Sequence, residues 1–151
     1  MTDTVGAKDA EPTRERAAAA DGLAQEDVGS EALLDTAVIG EIAAAGGPAL
    51  LSAVATSAGA EAENELNRLA DARAKGSLDA CEASVHALKG TAASLGVAAL
   101  AAAAEDVLAT IRAGVLPDTE AEAGLRHGWR VGFAAFRAFV EKLQADDVRT
   151  A

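Results

Sequence analysis

The stretch from Ser77 to Gly96 reads S-L-D-A-C-E-A-S-V-H-A-L-K-G-T-A-A-S-L-G and shows the clearest helical periodicity in the chain. Ser77 suits an N-cap, Asp79 adds a negative charge to the first turn, and Gly96 suits the position just after the helix. The apolar residues between these ends recur every three or four positions, which places them along one side of a helix. This seam consists of Leu78, Cys81, Val85, Leu88, Ala92 and Leu95. The stretch therefore predicts an amphipathic helix that packs against other helices through the seam.

Four further segments show the same apolar spacing, and glycine or proline residues separate them from one another. They cover residues 33–44, 48–75, 97–113 and 119–143. Short connections between amphipathic helices favour antiparallel neighbours. We therefore predict an all-α fold, an up-and-down antiparallel four-helix bundle preceded by an additional short N-terminal helix over 33–44. Pro48 suits the first turn of the helix that follows Gly46 and Gly47.

The composition supports closely spaced helices. Half of the residues are hydrophobic but only 3% are aromatic, and alanine supplies much of the apolar fraction. Gly124, Gly128 and Gly132 recur every four residues in the last predicted helix, which permits a close helix crossing. Trp129 lies on the apolar stripe of that helix and is expected in the core. His127 lies off the stripe, so we expect an ordinary exposed histidine there.

The two ends of the chain differ in composition from its middle. Up to Glu31 there are eight acidic and three basic residues and almost no large hydrophobic ones. Segments of this composition bury too little apolar surface to offset the conformational entropy that is lost on folding. We predict a flexible acidic arm over residues 1–30, a helical bundle over 31–145 and a frayed C-terminal tail over 146–151.

Charge and cysteine content narrow the class of protein. The formal net charge is −11, so we expect neither nucleic acid nor an anionic membrane surface as a partner. The single cysteine, Cys81, excludes an internal disulfide and fits a reducing compartment. The beginning of the chain does not resemble a secretory signal, and the alanine-rich run 97–104 is too short to cross a bilayer. We therefore expect a soluble, cytoplasmic protein.

His86 lies on the side of the Ser77–Gly96 helix that faces away from the seam, roughly 130° from its middle. Ala83 and Gly90 border the histidine one turn before and one turn after, and Ala87 and Ala93 extend this surface of small side chains. Lys89, three residues on, can place its ammonium beside an anion attached to the ring. A lone exposed histidine is most often an ordinary surface residue. The combination with lysine and an interior glycine, which weakens a helix, points instead to a site that another protein approaches closely.

The segment H-A-L-K-G-T-A-A-S-L-G, residues 86–96, resembles the phosphoacceptor signature of histidine-containing phosphotransfer (HPt) domains. The resemblance extends over about residues 31–143 and implies a four-helix bundle that relays phosphoryl groups in multistep two-component signalling. It implies that His86 is the phosphorylated residue, that Lys89 supports the phosphoryl oxygens and that Gly90 gives the partner access.

The partners that the resemblance implies are receiver domains, one in a hybrid histidine kinase and one in a response regulator. Mg²⁺ is expected on the receiver domain during transfer, and no cofactor is expected on this chain. No nucleotide-binding loop is present, so ATP-dependent kinase activity is not expected. A monomer is the expected state. The alternative is a non-catalytic helical adaptor that docks on a two-component signalling protein without carrying phosphate.

Overall fold

The computed structural model describes residues 33–150, which form α-helices and no strand. The four helices are α1 (Thr36–Ala74), α2 (Leu78–Leu95), α3 (Ala98–Arg112) and α4 (Thr119–Thr150). Each helix packs against the next, and α4 packs back against α1. The connections are short, so consecutive helices run antiparallel. This arrangement confirms the prediction of an all-α helical bundle.

The core lies between the four helices and consists mainly of leucine and alanine. Trp129 is 3% exposed, which confirms that it is a core residue. Its ring stacks on Phe133 with centroids 4.6 Å apart, and Phe133 stacks on Phe136 at 6.2 Å. These three aromatic side chains of α4 bury much more apolar surface than alanine side chains can. They therefore make a large contribution to the packing of α4 against the core.

Helix α2 forms as its sequence predicts. The Ser77 hydroxyl accepts a hydrogen bond from the Ala80 backbone N–H at 3.2 Å, which caps the first turn. Gly96 ends the helix in the left-handed conformation, with φ of 74°. Five of the six seam residues are buried and Leu78 is half-buried. The seam therefore sets the rotation of α2 about its axis, and with it the face that is left to solvent.

Gly96 also fixes the beginning of α1. The Asp35 backbone N–H donates a hydrogen bond to the Gly96 carbonyl oxygen at 2.6 Å. A Cβ on Gly96 would lie 2.6 Å from the Asp35 carbonyl oxygen, so the two backbones meet where only glycine fits. The Asp35 carboxylate accepts hydrogen bonds from the N–H groups of Ala37 and Val38 and caps α1. One glycine thus serves as the end of α2 and the anchor of α1.

Replacing Gly96 with alanine is expected to destabilise the bundle by about 2 kcal/mol or more, because the left-handed conformation alone costs a residue with a Cβ about 1–2 kcal/mol and Asp35 must also move. The matched control is Gly90→Ala in the same helix, where a Cβ meets nothing within 4 Å. That variant is expected to be unchanged or more stable by roughly 0.5–1 kcal/mol. Urea unfolding followed by circular dichroism measures both. Equal stability of the two variants would contradict the anchoring role of Gly96.

The short N-terminal helix predicted over 33–44 is helical from Thr36 in the structure, and a kink separates it from the helical segment that follows. It forms the first part of α1, and the backbone leaves helical geometry inside that helix only at Gly47, with φ of 68° and ψ of −163°. Pro48 follows directly, as predicted for the first turn of the next segment. Both segments contribute to the core: Ile39 is the buried residue of α1 before Gly47, and the segment after it buries Leu51, Leu66 and Leu69 among others.

Helix α1 also contains a stretch that is long and apolar enough to cross a membrane by length and composition. From the sequence, only residues 97–104 were assessed as a possible membrane span. This observation is weak evidence for a span, because helices of soluble proteins meet the same test. The interruption at Gly47 lies within α1, and a broken helix leaves backbone groups unpaired, which is costly in lipid. The buried contacts of Ile39 and Leu51 instead tie both parts of α1 to the bundle.

Two of the three regularly spaced glycines of α4 lie at close helix contacts. A Cβ on Gly132 would overlap the Val97 side chain, and one on Gly128 would lie 3.3 Å from Leu100 Cδ1. Nothing lies within 4 Å of the corresponding position at Gly124. The predicted close crossing therefore occurs at the junction of α2 and α3 and involves only the last two glycines.

Helix α4 continues to Thr150, beyond the predicted end near residue 143. Most of the segment predicted as a frayed tail is therefore helical. Residues 145–149 are exposed, so they carry no apolar periodicity by which a sequence reading could extend the helix. The predicted acidic arm over 1–30 lies outside the described residues.

Candidate functional site

His86 lies in the middle of α2 with its side chain exposed, while Val85 and Leu88 on the seam are buried. Ala83 and Gly90 are exposed beside it, Ala93 is exposed further along the helix, and Ala87 is half-buried. The structure thus brings the predicted residues onto one face with low relief. We call this surface the histidine face; its members are Ala83, His86, Ala87, Lys89, Gly90 and Ala93.

Gly90 has no packing role within the described part of the bundle. Its backbone is helical, and a Cβ built on it would have open space for at least 4 Å. An interior helical glycine still costs roughly 0.5–1 kcal/mol relative to alanine. No contact between residues 33 and 150 requires glycine at this position, and the same holds for the helical glycines Gly40 and Gly124.

A groove runs beside the histidine face, between α1 and α2. Its volume is about 380 Å³, and it is open to solvent. Small and polar side chains line it: Val54, Ser57, Ala58 and Glu61 from α1, and Ala87, Gly90, Thr91, Ser94 and Leu95 from α2. Most of the side chains along this lining are small, so the groove is open beside Ala87 and Gly90 of the histidine face.

Lys89 is not a free cation in the structure. Its ammonium donates a hydrogen bond to the Glu105 carboxylate on α3. Glu105 also faces the Arg112 guanidinium at 3.8 Å, and Arg112 Nε donates to Glu82 Oε1 at 3.3 Å. These four residues form an alternating row of charges across α2 and α3, which we call the charge row. It lies along the other side of the histidine face from the groove.

The pKa of Glu105 is held below its usual value, first by the hydrogen bond from Lys89, then by the positive charge of Lys89. Burial opposes this by raising the pKa, and the charges of Arg112 and His86 make smaller contributions that lower it. The Glu105 side chain therefore remains a carboxylate at neutral pH. Its electrostatic interaction with His86 places this negative charge at the candidate site.

Glu105 and Arg112 were not among the site residues predicted from the sequence. They lie 16 and 30 residues from their α2 partners, Lys89 and Glu82, so local spacing on α2 does not point to them. One signal was present in the sequence. Glu105 and Arg112 are seven residues apart on α3, about two helical turns, and therefore share a face that could meet the charged residues of α2.

Cys81 is buried in the seam, on the other side of α2 from His86. Burial raises the pKa of its thiol, so it stays protonated at neutral pH and is a poor nucleophile. Among residues 33–150 no group of three or more His, Cys, Asp or Glu side chains is arranged to hold a metal ion.

The arginines of α4 have more specific surroundings than ordinary solvated helix charges. Arg126 donates a hydrogen bond to the Leu66 carbonyl oxygen at 3.1 Å, and the Arg137 guanidinium lies 5.9 Å from the centre of the Phe133 ring. Together with Arg130 they line a cavity of about 300 Å³ between α1 and α4.

His127, also on α4, is exposed, as predicted.

A neutral imidazole has a nitrogen lone pair that can attack an electrophilic phosphorus, and an exposed one can do so on a group carried by another protein. Comparison with known protein families gives a match to the family model described as Hpt domain, over residues 57–146. The match covers the later part of α1, all of α2 and α3, and most of α4, and it includes every residue of the histidine face and the charge row. No curated protein and no solved structure matches the chain.

Proposed function

This chain belongs to the Hpt domain family, whose members transfer phosphoryl groups through a histidine in phosphorelays, and from this we propose that it carries a phosphoryl group on His86 between two receiver domains. The donor is an aspartyl phosphate of one receiver domain, and the acceptor is an aspartate of another. The observation that carries the proposal is the placement of His86, exposed beside a helical glycine that the bundle itself does not use.

The transfer exchanges one bond for another at phosphorus. A lone pair of a His86 ring nitrogen attacks the phosphorus in line, the new N–P bond forms and the bond from phosphorus to the aspartate oxygen breaks. The aspartate leaves as a carboxylate, and the ring gives up the proton on its other nitrogen to water. Onward transfer runs in reverse with a second aspartate. Lys89 stabilises charge on the phosphoryl oxygens, and Mg²⁺ held by the receiver domain supplies further stabilisation.

The receiver domains belong to a hybrid histidine kinase and to a response regulator in this proposal. The chain acts as a monomeric phosphocarrier in the cytoplasm, and it takes phosphate from another protein, not from ATP. Ala83, Ala87 and Ala93, with Gly90, form the surface on which the receiver domain sits. Small side chains there let the partner's aspartate reach the His86 ring.

A non-catalytic adaptor would use the same bundle to bind a signalling protein by contact alone. Such an adaptor has no chemical need for an exposed imidazole or for a cation next to it. The His86 and Lys89 pair therefore favours the phosphocarrier, and a labelling experiment separates the two functions.

The experiment mixes the full chain with receiver domains from the same genome, each carrying radiolabelled phosphate on its aspartate. We expect label to appear on this chain within minutes, to survive base treatment and to be lost in acid, because the N–P bond of phosphohistidine is acid-labile. Binding without any transferred label, from every receiver domain tested, would support the adaptor and overturn the proposed function.

A further inference from the structure

We propose that Glu105 is a positioning residue, which binds Lys89 while His86 is unmodified and gives it up to the phosphoryl group once His86 carries one. This inference rests on the proposed function and concerns the equilibrium between unmodified and phosphorylated His86. The exchange involves no covalent step at Glu105. It replaces one anion at the Lys89 ammonium by another.

Lys89 already has an anionic partner when His86 is unmodified. Its ammonium is already hydrogen-bonded to the Glu105 carboxylate, which is ionised at neutral pH. A phosphoryl group on His86, one helical turn from Lys89, must therefore compete with that carboxylate. Lysine is a flexible point charge on a long stem, so it can change partners by rotating its side chain without any movement of α2.

The ion pair between Lys89 and Glu105 can open easily. The side chains of Lys89 and Glu105 are 38% and 48% exposed, so neither is locked by packing. Exposed ion pairs contribute little to stability, because water and salt screen both charges. Arg112 faces Glu105 from the other side, at 3.8 Å. When Lys89 turns to the phosphoryl group, Arg112 remains to balance the Glu105 carboxylate.

The charges of the charge row are balanced only while His86 is unmodified. The charge row of unmodified protein holds two cations, Lys89 and Arg112, and two anions, Glu82 and Glu105. A phosphoryl group adds up to about two negative charges, so the phosphorylated site has an excess of negative charge. Glu105 therefore disfavours the phosphorylated form twice, by competing for Lys89 and by repelling the phosphoryl oxygens. This suits a carrier that must pass its phosphoryl group on.

The test compares wild-type protein with Glu105→Gln, which keeps the size of the side chain and removes its charge. The ratio of forward to reverse transfer rates with a phosphorylated receiver domain gives the transfer equilibrium. We expect this equilibrium to shift about two- to fivefold toward phosphorylated His86 in Glu105→Gln, the size typical of an exposed ion pair. The shift is expected to shrink in concentrated salt, which screens exposed charges. Circular dichroism is expected to be unchanged.

The matched control is Glu141→Gln. Glu141 is an exposed glutamate of α4, away from the histidine face and the charge row, so its replacement changes the net charge equally and is expected to leave the equilibrium unchanged. A Lys89→Gln background tests the positioning claim. There the shift caused by Glu105→Gln is expected to be smaller, because no lysine remains to be exchanged.

The outcomes separate the two proposals. Absence of label on the wild-type chain overturns the proposed function. Normal labelling with the same equilibrium in wild-type and Glu105→Gln protein overturns only the role of Glu105. An equal shift with and without Lys89 would show that Glu105 acts as a nearby charge alone, which also overturns the positioning role.

Discussion

The His86→Gln variant is expected to lose all transferred label and to keep its fold. Glutamine has no lone pair that can form a stable bond to phosphorus, so the loss is complete, not partial. His86 is exposed and contributes nothing to the core, so its replacement leaves the unfolding free energy within about 0.5 kcal/mol of wild type. Phosphotransfer from a labelled receiver domain and urea unfolding measure the two quantities.

The second histidine of the chain provides the matched control. His127 is also exposed on a helix, but it lies on α4, outside the histidine face. His127→Gln is therefore expected to accept label at the wild-type rate. Label that persists on His86→Gln, or that disappears from His127→Gln, would place the phosphoacceptor elsewhere and contradict the assignment.

Replacing Gly90 with leucine is expected to slow transfer by about one to two orders of magnitude, because displacing reacting groups by about 1 Å can cost about a hundredfold. The side chain of leucine would project into the space through which the partner reaches His86. Since a Cβ on Gly90 meets nothing within 4 Å in the bundle, the variant is expected to fold with unchanged or slightly higher helicity. Stopped-flow or rapid-quench transfer assays measure the rate, and circular dichroism measures the helicity.

Two control variants show whether the effect is one of access. Gly90→Ala is expected to transfer faster than Gly90→Leu, because a single methyl group protrudes less. Ala138→Leu places the same side chain on an exposed position of α4, away from the histidine face, and is expected to transfer at the wild-type rate. Unfolding of Gly90→Leu would show instead that the bundle needs glycine at this position.

The parts of the fold that could be predicted from sequence are those that depend on residues close together in the same helix, such as caps, apolar seams and helix ends. The Ser77 cap, the seam of α2 and the Gly96 end were all predicted at their observed positions. The break at Gly47 was also predicted, since glycine adopts the left-handed region easily and Pro48 suits a helix start. The two helical segments meet there on either side of a single non-helical residue, and the range of α1 includes both.

The end of α4 shows a limit of apolar periodicity. Beyond residue 143 the helix no longer packs on the core, so its sequence shows no seam, yet it continues to Thr150. Glu141, Lys142 and Gln144 are good helix formers and neither glycine nor proline follows them. Helix propensity in an exposed segment is a weak signal. Apolar periodicity predicts a helix only as far as that helix packs on the core, so the predicted end of α4 lies before the observed one.

The sequence by itself determined the helical fold class and the exposed site, because one helical period orders the seam, His86 and its neighbours Lys89 and Gly90 within a single segment. The role of His86 as phosphoacceptor is what the resemblance of that segment to the HPt signature implies. Only the tertiary structure decided that Lys89 is bound to Glu105 and that Arg112 joins them. Contacts between helices depend on how far each helix is rotated and shifted along its axis when it packs. Those quantities are set by the fit of side chains across the whole bundle, and local periodicity does not specify them.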